Sequence, residues 1–66
     1  MSNLGEDFPK EQERCRELLE QYKAIGPVGT FGHMMISDVL RRADEAAING
    51  DVVAMLRLYE EMKDCQ

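Results

Sequence analysis

The chain has 66 residues and a net charge of −5, from thirteen acidic and eight basic residues. A hydrophobic share of 44% with only two prolines excludes a disordered polar chain, and no run of about 18 apolar residues is present to span a bilayer. One domain fits this length, and a chain so short buries only about 60% of its unfolded surface, so association with a copy of itself or with another protein is a common source of extra stability.

Residues 1–6 are polar and are expected to be a flexible lead, with residues 7–66 forming a single helical domain. The opening "MSNLGEDFPKEQER" has neither a basic n-region nor an apolar h-region, so no secretory signal is expected and the expected setting is cytoplasmic. A first helix is predicted over about 8–25. Pro9 suits a first turn, where its missing N–H would have had no partner, and Glu11 and Glu13 suit the positive end of the helix dipole. Cys15, Leu18, Leu19, Tyr22 and Ile25 then recur at helical spacing and form one apolar stripe. Gly26 can supply a left-handed cap, and Pro27 cannot continue the helix.

"GPVGTFG", residues 26–32, comes after a helix, not a strand, and matches neither glycine-rich phosphate-binding pattern. It is read as a corner between helices. Its Val28 and Phe31, with Met34 just beyond, are too apolar to be simply solvated. The expectation is that they fold back over the end of the core. The alternative is a partner contact, which requires an exposed patch around Val28, Phe31 and Met34.

A second helix is predicted over 30–49, with Thr30 as its N-cap. Its stripe is Met35, Ile36, Val39, Leu40, Ala43, Ala46 and Ala47. The alanines admit a close helix neighbour, so the tightest contact is expected at that end. Asp38 stands three and four residues before Arg41 and Arg42, a spacing that favours ion pairs. "NGD" at 49–51 is the sharpest turn signal: Gly50 takes positive φ cheaply and Asp51 can cap the next helix. That third helix is predicted over 51–64 with the stripe Val52, Met55, Leu56, Tyr59 and Met62. Leu58 lies off that stripe and is assigned to a partner-facing surface. Alternating patterns of useful length are absent. The predicted fold is therefore all-α, a three-helix bundle whose last two helices form an antiparallel hairpin.

Chemistry is sparse. His33 is the lone histidine, with Ser37 and Asp38 four and five residues on, but no nucleophile turn or oxyanion hole accompanies them. Cys15 and Cys65 show no paired spacing of a zinc or redox motif. In an up-down-up bundle they are expected some 10–15 Å apart along the axis, beyond disulfide reach. No catalytic, cofactor-binding or metal-binding residues are assigned, and no cofactor is implied. Arg41-Arg42 is the only adjacent basic pair, flanked by Asp38, Asp44 and Glu45, so direct nucleic-acid binding is not expected.

Two resemblances add to this. "ADEAAINGDVVAMLRLYEEMKD" (43–64) resembles part of a tetratricopeptide repeat. Ala43 and Ala46 fall at its small and intermediate positions, Gly50-Asp51 at its turn and Tyr59 at its aromatic position, while Met55, Val39 and Arg42 replace its usual alanine, tryptophan and leucine. That likeness implies a helical hairpin, not a solenoid, because one hairpin cannot stack. "DFPKEQERCRELL", "IGPVGTFG" and "VLRRADEAAINGD" resemble short uncharacterised proteins of bacteriophages and prophages of Gram-negative bacteria. That likeness implies a host-cytoplasm setting and a host or phage target, and it brings no catalytic residues.

The functional expectation is a non-enzymatic protein–protein interaction module, a homodimer being one form, with Val28, Phe31, Met34 and Leu58 as its surface. The alternative is an acidic decoy that occupies a nucleic-acid-binding protein. A third reading is a small enzyme around His33.

Overall fold

A computed structural model describes residues 3–66; Met1 and Ser2 of the expected flexible lead lie outside the described residues. The molecule is an all-α three-helix bundle of α1 (Leu4–Ala24), α2 (Thr30–Asn49) and α3 (Val52–Asp64), with a 3₁₀ turn at Gly26–Gly29 between α1 and α2. Its Cα extents are 36 × 23 × 16 Å. The thinnest dimension is that of two helix layers about 8–10 Å apart: the α2–α3 hairpin forms one layer and α1 the other. No helix among the described residues is long and apolar enough to cross a membrane.

α1 begins four residues earlier than expected, because Asn3 caps it. The Asn3 side chain accepts from the Glu6 amide at 3.0 Å, and the Asn3 carbonyl accepts from the Asp7 amide at 2.8 Å. Residues 4–6 of the polar lead are thus helical. Pro9 sits inside the helix, not in its first turn, and so cannot give the Gly5 carbonyl its i+4 hydrogen bond. The early start puts Leu4 one turn before Phe8. Phe8, absent from the predicted stripe, is among the three largest side chains fully enclosed. Cys15 is also buried, Leu18, Leu19 and Tyr22 are half-buried, and Ile25 is exposed.

Gly26 takes the left-handed conformation expected of it, at φ +76°. Thr30, predicted as the N-cap of α2, is instead its first helical residue. The 3₁₀ turn feeds the helix directly, and the Thr30 amide donates to the Pro27 carbonyl. α2 buries Ile36, Val39, Leu40, Ala43 and Ala46 but leaves Met35 and Ala47 exposed. At its end Gly50 adopts φ +63°. The Gly50 and Asp51 amides donate to the Ala47 and Ala46 carbonyls at 3.2 and 3.0 Å, the paired closing bonds of a Schellman turn. Asp51 then accepts from the Ala54 amide at 3.1 Å and caps α3. This two-residue reversal makes α2 and α3 antiparallel neighbours, as predicted.

α3 is rotated from its predicted orientation. Leu58 is 5% exposed and belongs to the core, whereas Leu56 is 53% exposed. The inward face runs through Met55, Leu58, Met62 and Cys65, with Ala54 and Tyr59 beside it. The physical reason lies on α2. Ala46 leaves room for Leu58 across the hairpin, and the guanidinium of Arg42 holds both carboxylate oxygens of Glu61, at 3.1 and 3.2 Å. That pair sets the roll of α3. Truncation separates the two orientations: in chemical denaturation Leu58→Ala should cost about 2–4 kcal/mol, and Leu56→Ala less than about 1 kcal/mol.

Candidate functional site

The corner expected to cap the core does not do so. Val28 is 90% exposed, Phe31 74% and Met34 63%. The turn at 26–29 carries these side chains outward, so the capping expectation is overturned and an exposed apolar patch is present.

Next to this patch, a groove of about 420 Å³ opens between the end of α1, the first half of α2 and the end of α3. Ile36 and Val39 form its buried floor, Tyr22, Phe31 and Met35 its apolar wall. The opposite wall is the last turn of α3 and the two residues after it, from Glu61 to Gln66. A smaller continuation of about 250 Å³, sharing Phe31, Met35, Val39 and Glu61, runs past Met34 to Asp38 and Arg42. The groove is apolar along its length and carries carboxylates, Glu61 and Asp64, on its rim.

Gly32 is what lets Tyr22 form this wall. A Cβ at position 32 would lie 2.5 Å from the Tyr22 ring, so the bare backbone of α2 gives the ring its place. The Tyr22 hydroxyl donates to the Gln66 carbonyl oxygen across the groove. Below it, the Arg14 guanidinium donates to the Cys65 carbonyl at 2.9 Å and to the Met62 carbonyl. A helix leaves its last carbonyls without partners; here α1 supplies the donors, and the end of α3 is held as a groove wall.

Of the residues assigned to the surface from the sequence, Phe31 and Met34 line the groove, and Val28 stands outside its lining on the turn. Leu58 is in the core and is removed from the site. Tyr22, Met35, Val39, Glu61 and Asp64 were not anticipated as groove residues. Four further large apolar side chains, Ile48, Val52, Val53 and Leu56, are exposed around the α2–α3 turn at the other end of the hairpin.

The residues around His33 are not joined. His33 is half-buried, in a shallow pocket with Tyr22, Lys23 and Thr30, and Ser37 is exposed. The Asp38 carboxylate is taken by Arg41 at 3.0 Å and Arg42 at 3.1 Å, and these bonds, Arg41's first, hold it below the usual carboxylate range. Other acids are similarly engaged: Asp44 by Arg16 at 2.8 Å and by Gln12, Glu45 by Arg41, and Glu11 by Arg14.

The two cysteines are closer than expected. The Cys15 thiol points at the Met62 carbonyl at 3.7 Å, and the same carbonyl accepts from the Cys65 amide at 3.1 Å. The shortness of α3 explains this: with 13 residues against the 20 of α2 it ends about 10 Å short of the corner, level with Cys15 in the middle of α1. Burial pushes the Cys15 thiol up to about 11, with Cys65 adding to the effect and Arg14 opposing it.

No family model, no curated protein and no solved structure matches this chain.

Gly32 and Cys15 each give this geometry a test. Gly32→Ala forces the Tyr22 ring out of its place and should cost about 1–3 kcal/mol, with a shifted Tyr22 ring resonance in NMR. The raised Cys15 pKa means that the unfolded chain ionises first, so stability is intact below about pH 9 and falls as pH rises towards about 11. Denaturation midpoints measured across that range should show the fall, and Cys15→Ala should flatten it.

Proposed function

We propose that this chain is a non-enzymatic protein–protein interaction module whose groove receives an amphipathic helix of another protein, apolar on one side and basic along its flanks. The observation that carries this reading is the outward-facing apolar side of Phe31, Met34 and Met35 beside a groove rimmed by Glu61 and Asp64. Large exposed apolar patches with polar rims mark interaction sites, and a helix laid in such a groove anchors by residues one turn apart. The rim carboxylate Asp64, which no arginine among the described residues holds, and the net charge of −5 favour a basic partner over a second copy, which would bring the same negative charge.

On the resemblance carried by "DFPKEQERCRELL", "IGPVGTFG" and "VLRRADEAAINGD", we assign that partner to a host or phage protein. The acidic-decoy alternative has less support, because Glu11, Asp38, Asp44, Glu45 and Glu61 are each paired with an arginine, and the exposed row Glu13, Glu17 and Glu20 on α1 is short. An enzyme around His33 has less still, because Asp38 is held by arginines.

The test uses two designed helical peptides with the same leucine face, one flanked by lysines and one by glutamates. The lysine peptide should bind, shifting the NMR signals of Phe31, Met35 and Val39, and binding should persist when salt is raised. Phe31→Ser with Met34→Ser should weaken it at least about tenfold and, at exposed positions, change stability by less than about 1 kcal/mol. Concentration-dependent sedimentation that the same double variant abolishes would assign the groove to a second copy instead. A lost fold in that variant would return these residues to the core and sink the reading.

A further inference from the structure

The Cys15–Cys65 pair takes no part in the proposed binding surface beyond the place of Cys65 in the groove wall. It is held together by two short connections. The Met62 carbonyl lies 3.7 Å from the Cys15 sulfur and 3.1 Å from the Cys65 amide nitrogen. Arg14, adjacent to Cys15 in sequence, bonds the Cys65 carbonyl at 2.9 Å. Both cysteines are free thiols. Cys15 has no exposed surface, whereas Cys65 is half-buried and reachable from the groove. Cys65 comes after the last turn of α3 in extended backbone, at φ −74° and ψ 128°, so its side chain can be re-aimed without unwinding the helix.

We propose that Cys15 and Cys65 are a reversible oxidation site, at which a small-molecule disulfide closes an intramolecular bond between α1 and the end of α3. The Cys65 thiolate attacks one sulfur of the small disulfide. The sulfur–sulfur bond of the reagent breaks, one thiolate leaves, and a mixed disulfide forms on Cys65. The Cys15 thiolate then attacks the Cys65 sulfur and expels the second reagent thiolate. Two protein thiols are oxidised to one disulfide, one disulfide is reduced to two thiols, and the two protein protons end on the released thiols. The order is set by access, because only Cys65 meets a solute directly. Burial, which favours the protonated form of Cys15, makes the second step the slow one; Glu11, Arg14 and Cys65 are the ionisable groups that act on it.

Closure would link residues about fifty positions apart and so restrict the unfolded chain strongly. It would also tie the Cys65–Gln66 wall of the groove to α1, in place of the Arg14 and Tyr22 hydrogen bonds alone. The redox state would then set how firmly that wall is held.

The full chain, reduced and then incubated folded with oxidised glutathione at mildly alkaline pH, supplies the test. Intact mass should fall by two hydrogens, both thiols should resist alkylation, and sedimentation should remain unchanged. Thermal unfolding of the oxidised form should move up and return on reduction. Cys15→Ala should stop at one glutathionyl adduct on Cys65, and Cys65→Ala should not react while folded. A folded wild-type chain that accumulates only the Cys65 adduct, or cross-links between molecules, would overturn the proposal. So would an internal bond that forms only in denaturant.

Discussion

The bundle depends on one crossing, where α1 passes over the hairpin. Each helix contributes a side chain there with no exposed surface: Cys15 from α1, Ala43 from α2 and Met62 from α3. Two of the three are small, which lets the helix backbones approach, and the third is a flexible thioether that fills what remains. Such a core has little to spare, since a domain of this size stands on few kilocalories of net stability. Directional bonds supplement it at the same crossing. Arg14 of α1 satisfies carbonyls at the end of α3, Arg16 of α1 grips Asp44 of α2 with both oxygens at 2.8 Å, and Arg42 of α2 grips Glu61 of α3. Each pair of helices is thus joined by one arginine.

This use of arginine has a consequence for the surface. Arg14, Arg16, Arg41 and Arg42 are spent on neighbouring acids, and Glu11, Asp38, Asp44, Glu45 and Glu61 are spent on those arginines. Exposed pairs of this kind add little stability one by one, but they specify how the helices are rolled and how they meet. What remains conspicuous outside is apolar: the corner and groove at one end of the hairpin and the group from Ile48 to Leu56 at the other. The groove is also the place where all three helices contribute a wall, and where hydrogen bonds to the chain after α3 add to the packing of Cys65.

Much of the fold was legible locally. The helix ends at Gly26 and Gly50, the cap at Asp51 and the bounds of α2 come from chemistry that acts within a few residues, and the structure bears them out. The stripe of α2 was legible because polar residues occupy its opposite face. On α3 the first five residues, Val52 to Leu56, are all apolar, so periodicity there does not choose a side; the choice of Leu58 over Leu56 came from Ala46 and Arg42 on another helix. Phe8 was missed because Pro9 read as a helix start, while the cap that decides the matter is Asn3.

The sequence by itself therefore determined that three amphipathic helices form, where they stop, and that the last two fold back on each other, since turn chemistry and 3.6-residue periodicity are local properties. Only the tertiary structure decided which way α3 faces, that the glycine corner turns its apolar side chains outward, and that Cys15 meets Cys65. Those outcomes rest on contacts between residues distant in the chain, whose roll and axial level no local pattern encodes.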